Sequence, residues 1–395
     1  MKIAGIIAEY NPIHEGHAYH IAETKKQLGA DLVIVAMSGS YMQRGVPAFF
    51  DKFSRTREAL NAGADLVVEL PVTVSTGSAE YFATGAVKLL SRLGVNYISF
   101  GSECGDLDKL NALADLLLNE SGDFKEELAR ELKNGASYPL AVKKAALSQA
   151  PDLAPLLDMP NNSLGLEYIK AIKRNNLNIT PFTIRREGAD YNDTEITEAE
   201  FPSSTALRNV YSQSEFPHLT NNDFSQMLTY ALGVKGDRLT AYADVSTDLS
   251  NRISKAKDYA NFDALTEFLK TRQVTQARVQ RALWHIILDI TKEDAEVIKA
   301  PDFPGYGRVL GFNKESVAPK LLKALEESSC ETGFKLITRP AKDLNLLSES
   351  ARKRFEKDLA AYRLYRLTMY QKYAGELSEE ELKQITLDDY TSPLV

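Results

Sequence analysis

Two histidines, His14 and His17, lie three residues apart near the beginning of the chain, with Gly16 between them. Residues 3–8 before them are apolar, and a short run of small and β-branched residues is typical of a buried strand. A turn and a predicted helix at 16–28 follow. The free N–H groups at the beginning of a helix bind anions, and two imidazoles add hydrogen-bond donors. The segment therefore predicts a site for the phosphates of a nucleoside triphosphate.

A pair of metal-ligating or surface histidines is the alternative interpretation of this segment. Zinc needs three or four ligands at suitable spacing, and the sequence has no Cys-x-x-Cys or His-Glu-x-x-His to complete a set. We therefore predict no metal site formed by protein ligands. The sequence also lacks Gly-x-x-x-x-Gly-Lys, and no Gly-x-Gly-x-x-Gly follows the first strand, which argues against a P-loop and against an NAD site.

A second group of polar residues lies far along the chain, at Ser203, Ser204, Thr205 and Arg208. Hydroxyl groups at the beginning of a helix, with a forked cation one turn later, can surround a triphosphate. The alternative is a plain serine N-cap that opens an ordinary helix.

Composition limits the class of protein. The chain has 395 residues with 44% hydrophobic content, which is enough for two or three domains, and no apolar run approaches the length of a membrane span. A strand begins almost at once, so we expect no signal peptide. Two distant cysteines, Cys104 and Cys330, form no disulfide framework and fit a reducing cytoplasm. The net charge of -7 belongs to the first half, because residues 230–395 hold 26 Lys+Arg against 25 Asp+Glu, and this half remains able to bind a polyanion.

Strands and helices alternate in the first hundred residues. This alternation predicts a parallel, Rossmann-like sheet with helices on its faces and ligands at the carboxyl ends of the strands. The predicted strands are 3–8, 32–37, 66–69 and 97–100, and the predicted helices are 16–28, 54–62 and 79–93.

The rest of the chain is mainly helical. The apolar spacing in residues 106–175 predicts a helical excursion that leaves the sheet and rejoins it through a strand at 178–184. The spacing in residues 264–290 predicts one long amphipathic helix. Short strands are predicted at 306–312 and 334–337, and a polar helical end at 348–384. We therefore predict an α/β ATP-binding domain at 1–220 and a mainly α-helical domain at 221–395.

The two polar motifs resemble the signatures of the HIGH-type nucleotidyltransferase superfamily. Asn-Pro-x-His-x-Gly-His corresponds to the first signature and Ser-Ser-Thr-x-x-Arg to the second, where Phe201 and Pro202 replace the usual preceding residues. Segments 37–45, 63–71, 100–103 and 160–168 narrow the resemblance to the tRNA(Met) cytidine acetate ligase family, over roughly residues 1–210.

The resemblance implies an ATP site with His14 and His17 as catalytic residues, which stabilise charge as pyrophosphate leaves. It leaves open which of Asn161 and Asn162, and which of Arg185 and Arg186, contacts the nucleotide. The implied ATP-site residues are Ile7, Ala8, Glu9, Tyr10, Asn11, Pro12, Ile13, His14, Glu15, Gly16, His17, Ala18, Tyr19, His20, Gly101, Asn161, Asn162, Arg185, Arg186, Ser203, Ser204, Thr205 and Arg208.

A basic helix face in the second half is the candidate tRNA-binding surface. Its cations are Lys270, Arg272, Arg278 and Arg281, and such a face can bind RNA phosphates. The alternative is a solvated helix with Trp284 in the core.

The sequence and the resemblance together predict an ATP-dependent ligase. It would form acetyl-adenylate from acetate and ATP, with Mg²⁺, and transfer the acetyl group to N4 of the wobble cytidine of elongator tRNA(Met). Tyr10 and Met37 could wall a small acid pocket, although a core role for Met37 is an equal alternative. The alternative functions are an adenylyltransferase acting on a phosphorylated small molecule and a non-catalytic nucleotide-binding RNA adaptor. No membrane and no protein partner is inferred.

Overall fold

A seven-stranded sheet forms the centre of the computed structural model, which describes residues 1–186, 204–213, 216–256, 258–385 and 390–395. The strands are β1 (Ile3–Ala8), β2 (Leu32–Ser38), β3 (Leu66–Leu70), β4 (Tyr97–Ser102), β5 (Thr180–Arg185), β6 (Tyr306–Phe312) and β7 (Lys335–Ile337).

The strand order is β5-β4-β1-β2-β3-β6-β7. Strands β1 to β5 are mutually parallel, whereas β6 is antiparallel to β3 and parallel to β7. This arrangement confirms the predicted α/β fold with a parallel, Rossmann-like sheet. Two strands from beyond residue 220 complete the sheet, so the strand ladder crosses the predicted boundary, and the division into two domains stays a prediction.

Helices connect the strands and form most of the second half. The first eight are α1 (Glu15–Leu28), α2 (Lys52–Asn61), α3 (Val72–Ser75), α4 (Ala79–Arg92), α5 (Leu107–Leu118), α6 (Gly122–Lys133), α7 (Tyr138–Gln149) and α8 (Pro160–Arg174). The others are α9 (Ser204–Ser212), α10 (Ser225–Lys235), α11 (Thr247–Lys255), α12 (Phe262–Leu269), α13 (Gln276–Ile287), α14 (Lys292–Glu296), α15 (Ala318–Glu327), α16 (Ser329–Thr332), α17 (Pro340–Asp343), α18 (Glu349–Tyr373) and α19 (Glu379–Ile385). Among the described residues, no helix is both long enough and apolar enough to span a membrane.

The helical excursion between β4 and β5 is confirmed, since α5 to α8 leave the sheet after β4 and return the chain to β5. The single long helix predicted at 264–290 is wrong. Two helices occupy that stretch, because Lys270 has an extended backbone at the end of α12 and the Thr275 hydroxyl caps a new helix at the N–H of Arg278.

The alternating side chains of the strands build a core on each face of the sheet. Ile34 and Val68 belong to one core, which α4 and α8 cover, whereas Val35 and Val67 belong to the other. The second core is covered by α1, α13 and α18, and fully buried Trp284 is part of it. Helices of the C-terminal half are therefore packed directly on the sheet that carries the His14–His17 motif.

Candidate functional site

A cleft opens at the carboxyl ends of β1 and β4, where the parallel-sheet rule places a ligand. The residues that line it are Ile6, Ile7, Ala8, Glu9, Tyr10, Asn11, His14, His17, His20, Gln43, Arg44, Val46, Phe82, Phe100, Gly101, Asn161, Leu164, Tyr168, Arg186, Ser204, Thr205 and Arg208. Both predicted polar motifs therefore reach the same cleft.

His14 and His17 form a reciprocal cap at the beginning of α1. His14 Nδ1 accepts from the N–H of Gly16 at 3.2 Å, and His17 Nδ1 accepts from the N–H of His14, also at 3.2 Å. Because each Nδ1 is an acceptor, a neutral ring carries its proton on Nε2. The ring centroids lie 3.8 Å apart, so the cap fixes two neighbouring Nε2–H donors at a helix N-terminus.

The three histidines of the cleft are held in the neutral form. Burial lowers the pKa of His14 to about 4, and the nearby positive charge of Arg186 contributes. Burial likewise lowers the pKa of His20 to about 4, and it lowers the pKa of His17 well below its usual value. His20 Nε2 lies 3.0 Å from Ser99 Oγ, which in turn lies 2.7 Å from the Thr24 hydroxyl. His20 is thus tied to β4, and burial favours the neutral form of all three rings.

Helix α9 brings the second motif against the turn that follows β1. The Arg208 guanidinium donates to the carbonyl oxygen of Asn11, and at 3.0 Å to Thr205 Oγ1. The Ser204 hydroxyl donates to the carbonyl of Pro12 at 3.2 Å. Ser203 lies outside the described residues. The two motifs, distant in sequence, therefore meet through direct hydrogen bonds between α9 and residues 11–12.

The two asparagines left open by the sequence have different surroundings. Asn161 lines the cleft, whereas Asn162 is fully buried and its Oδ1 accepts from the N–H groups of Glu103 and Cys104 at 2.9 and 3.2 Å. Glu103 in return accepts from the N–H groups of both asparagines at the beginning of α8. Asn162 therefore ties α8 to the loop after β4, and Asn161 is the one in contact with the cleft.

The two arginines at the end of β5 also differ. Both are exposed, but only Arg186 lines the cleft. A Cβ at Gly101 would lie 3.1 Å from Arg186 Cγ, so the missing side chain at 101 leaves room for this arginine at the carboxyl end of β4. Arg185 points elsewhere, beside Gly105.

Several residues of the predicted site are near the cleft without lining it. They are Pro12, Ile13, Glu15, Gly16, Ala18, Tyr19, Asn162 and Arg185. Most of them lie in the loop between β1 and α1 or in the first turn of α1, and their side chains do not line the cleft. Met37 is fully buried in the second core, whereas Tyr10 lines the cleft and its ring packs edge-on against His17 at 4.9 Å. Tyr10 is thus the member of the predicted acid pocket that reaches the cleft.

The sequence missed a turn that contributes Gln43, Arg44 and Val46 to the cleft. The N–H of Gly45 donates to the carbonyl of Met42 at 2.9 Å, which closes the turn. It follows the carboxyl end of β2, so the strand-end rule was a signal that could have found it. The other lining residues were missed because they are aliphatic or aromatic and carry no chemical signature; they are Ile6, Phe82, Phe100, Leu164 and Tyr168.

Among the described residues that line the cleft, Glu9 is the one with a carboxylate side chain. Its Oε1 accepts from the N–H of Gln43 at 2.7 Å. Burial raises the pKa of Glu9, while this hydrogen bond and the nearby charges of Arg44 and Arg208 oppose the rise. Within the described part of the chain, no group of three or more His, Cys, Asp or Glu residues is arranged to hold a metal ion.

The predicted RNA-binding cations do not share one environment. Lys270, Arg272 and Arg278 are exposed at the junction of α12 and α13. Arg281 is buried, and its Nε donates to Asp244 Oδ2 at 2.8 Å. Its Nη1 also lies 3.5 Å from the carbonyl of Gln43. Arg281 therefore connects α13 to the turn that carries Gln43 and Arg44, which we term the cleft turn. The other three are exposed, and Lys270 is paired with Glu267 at 2.7 Å.

Comparisons with known proteins agree on the family. A model of the HIGH nucleotidyl transferase family matches residues 1–381. A tRNA(Met) cytidine acetate ligase of Acetivibrio thermocellus is 38% identical, over 83% of this chain and 86% of its own length. A protein of the same name from Caldanaerobacter subterraneus subsp. tengcongensis is 37% identical, over 95% of this chain and 97% of its own.

Solved structures match over almost the whole chain. The crystal structure of Thermotoga maritima TmcAL without ligand is similar with a TM-score of 0.86 and 27% identity, covering 98% of this chain and 99% of the other. The structure of the same protein bound with α-thio ATP has a TM-score of 0.83 and 26% identity with the same coverage.

Proposed function

The chain belongs to the tRNA(Met) cytidine acetate ligase family of HIGH nucleotidyltransferases, ATP-dependent ligases that act on tRNA, and on this premise we propose its reaction. The enzyme joins acetate and ATP to acetyl-adenylate and pyrophosphate. It then transfers the acetyl group to N4 of the wobble cytidine of elongator tRNA(Met), with release of AMP. We expect it to work in the cytoplasm, with its tRNA substrate.

One observation carries the proposal: two Nε2–H donors and three guanidinium groups line one cleft. His14 and His17 reach it from the beginning of α1, Arg44 from the turn after β2, Arg186 from the end of β5 and Arg208 from α9. The rings are neutral and fixed by their caps before any ligand arrives, so donation to a phosphate needs no rearrangement. This arrangement suits a triphosphate that must lose pyrophosphate.

In the first step an acetate oxygen attacks the α-phosphorus of ATP, and the bond to the bridging oxygen of pyrophosphate breaks. Negative charge grows on the leaving group. We propose that the two imidazole N–H groups and the guanidinium of Arg208, which line the cleft, stabilise this charge. Adenylation is required because a free carboxylate has no good leaving group.

Mg²⁺ would accompany the triphosphate and neutralise part of its charge when bound. The residues present fit such an ion. Magnesium typically uses one or two carboxylates together with substrate phosphates, and Glu9 is the carboxylate among the described residues that line the cleft. We propose that Glu9 would hold the ion, with the remaining ligands from phosphate and water.

In the second step the exocyclic N4 of cytosine attacks the acyl carbon, and the bond between that carbon and the phosphate oxygen of AMP breaks. The amine loses a proton as the amide forms. A wobble base reaches the acyl carbon only if it is splayed out of the anticodon loop. Exposed Lys270, Arg272 and Arg278 are the residues that we propose bind the tRNA backbone.

The test is ATP–pyrophosphate exchange without RNA, with a panel of carboxylic acids and phosphorylated small molecules. We expect exchange that depends on acetate and falls with longer fatty acids, and tRNA acetylation from free acetate and ATP with release of AMP. Exchange that depends only on a phosphorylated compound would identify an adenylyltransferase, and no exchange with any acid would favour an RNA adaptor. Acetylation from acetyl-coenzyme A without ATP would overturn the mechanism.

A further inference from the structure

Aromatic rings cluster on the surface beside the cleft. Phe50, Tyr211, Phe216 and His218, which we term the aromatic patch, surround buried Phe49. The Tyr211 and Phe216 centroids lie 5.5 Å apart, and those of Phe50 and Tyr211 lie 5.8 Å apart. His218 is stacked on Phe49 at 4.6 Å with the planes 6° apart. Phe216 is 51% exposed, so part of its ring is accessible to a ligand.

The aromatic patch is continuous with the cleft through Asn11 and α9. The side-chain oxygen of Asn11, a cleft residue, accepts from the N–H of Phe49 at 2.7 Å. Helix α9 carries Arg208 at the cleft and Tyr211 in the patch, three residues later and hence on the same side of the helix. A ligand that occupies the cleft and extends over α9 must therefore cross the patch.

From this continuity we propose that the aromatic patch stacks an unpaired base of the RNA substrate next to the nucleotide that enters the cleft. The inference rests on the proposed function, because it assigns a subsite to the same reaction. Proteins recognise single-stranded RNA loops by stacking splayed bases on aromatic side chains. A base that leaves the loop to react also leaves its neighbour without a stacking partner, and the exposed ring of Phe216 offers one.

The charges around the patch favour stacking over a phosphate contact. Lys372 is a cation at its border, and its ammonium donates to the carbonyl of His218 at 3.0 Å and to Asp223 at 3.1 Å. Its charge is thus already compensated. The patch therefore contributes through ring surface, and its contribution to tRNA affinity does not depend on salt as a phosphate contact would.

The experiment compares Phe216→Leu and Phe216→Trp in the full chain. Leucine keeps an apolar side chain but removes the ring, whereas tryptophan keeps a stacking face. Tyr138→Leu is the matched control, since Tyr138 is a 61% exposed aromatic residue on α7. The measurements are the Kd for an elongator tRNA(Met) transcript at several salt concentrations, acetate-dependent ATP–pyrophosphate exchange without RNA, and the melting temperature.

We expect Phe216→Leu to weaken tRNA binding about 5- to 150-fold, the range for loss of one stacked base, with an unchanged salt slope and unchanged exchange. Phe216→Trp should restore the affinity, and Tyr138→Leu should bind normally. Wild-type affinity in Phe216→Leu would overturn the inference. So would equal losses in both Phe216 variants together with a lower melting temperature, because these would indicate a packing role. If wild-type protein shows no acetate-dependent exchange, it is the proposed function that fails.

Discussion

At the scale of residues, the two histidines of the first motif have a divided role. In both rings Nδ1 accepts a backbone N–H of the helix cap, and Nε2 remains for the ligand. Ordinary N-caps use serine, threonine or aspartate, whose single polar group is consumed by capping. Histidine has two separate nitrogens, so it can cap a helix and bind an anion at the same time. This division of the two nitrogens explains how the imidazoles at this helix N-terminus can serve both as caps and as donors to an anion.

Two substitutions can separate the capping role of His17 Nδ1 from the ligand-binding role of its Nε2. Asparagine carries an acceptor at the position of Nδ1 and no group at Nε2, whereas glutamine carries an amide near Nε2 and loses the cap. We expect His17→Asn to melt like the wild type and to exchange pyrophosphate about a hundredfold or more slowly, because one transition-state donor is lost. His17→Gln should retain more activity and less stability. Normal exchange in a folded His17→Asn protein would remove this residue from the mechanism.

The neutral histidines also make stability depend on pH. The pKa of His20 is about 4 in the folded protein and near 6.5 in an unfolded chain, so the unfolded state binds more protons between these values. The stabilisation is complete above pH 6.5 and is lost as pH falls towards 4. His20→Gln keeps an amide for Ser99 but does not titrate. We expect urea titrations from pH 7 to 4.5 to show a slope shallower by up to about 1.4 kcal/mol per pH unit. An unchanged slope would contradict a neutral His20.

Sequence was most informative about polar residues with a repeated spacing. The His14–His17 and Ser204–Arg208 groups were predicted to serve one ligand, and they do lie on one cleft. Sequence could not distinguish Asn161 from Asn162, because adjacent residues at a helix N-terminus differ only in the direction of the side chain. It missed Arg44, because a single arginine in a turn has no spacing pattern and only its position after the carboxyl end of β2 pointed to the cleft. It grouped Arg281 with the basic residues because the pattern does not reveal that Asp244 pairs with it.

At the scale of elements, the cleft turn after β2 depends on α13. Gly45 has φ +74°, and a Cβ there would lie 2.5 Å from the backbone nitrogen of Arg281. The turn that presents Gln43 and Arg44 therefore rests directly on the helix backbone. Contact this close requires glycine for two reasons, the left-handed backbone and the missing side chain.

This close contact predicts the effect of Gly45→Ala. Gly29→Ala is the matched control, since Gly29 has φ +57° and a Cβ there would meet nothing within 4 Å. We expect the control to cost about 1 kcal/mol of unfolding free energy, for the left-handed backbone alone. Gly45→Ala should cost about 3 kcal/mol, because overpacking against α13 is added, and it should also raise the KM for ATP. Equal losses in the two variants would show that the turn does not rest on the helix as described.

Helix α13 carries two arginines with different expected roles. Arg278→Ala should leave stability unchanged and lower the salt slope of tRNA binding by about 1, as expected when one phosphate contact is lost. Arg281→Ala leaves the carboxylate of Asp244 without its guanidinium, so we expect a loss of about 3 kcal/mol in urea unfolding. The predicted roles would be wrong if Arg281→Ala remained stable and changed only the salt slope.

Elements were predictable where a periodic pattern was bounded by clear signals. The parallel strands and the excursion at 106–175 were found because strand and helix periods alternate with glycine stops. The joining of α12 and α13 into one helix was wrong because both segments have the same apolar period. The six residues between them contain no proline or glycine, and Thr275 acts as a cap only through its conformation.

At the scale of the whole molecule, buried polar groups connect the two halves of the chain. Lys52 Nζ donates to Glu69 on β3 at 2.7 Å, and Arg308 on β6 lies 3.5 Å from the same carboxylate. Asp358 on α18 accepts from the N–H of Val72 at 2.7 Å and from the Tyr306 hydroxyl at 2.5 Å. Burial raises the pKa of Asp358 to about 7, and the charge of Glu69 adds to the rise. Buried charges require their partners, so each half needs the other.

A fragment of residues 1–220 tests whether the predicted ATP-binding domain folds alone. It would lack β6, so β3 would become an open edge with the apolar side chains of Val67 and Val68 beside it. It would also lack Arg308 beside the Lys52–Glu69 pair, and α18 over the second core. We expect such a fragment to aggregate, without a cooperative melting transition and without ATP binding. Co-expression with residues 221–395 should restore a soluble complex that exchanges pyrophosphate. A monomeric 1–220 fragment that melts cooperatively and binds ATP would instead establish an independent domain and make the buried connections between the halves dispensable.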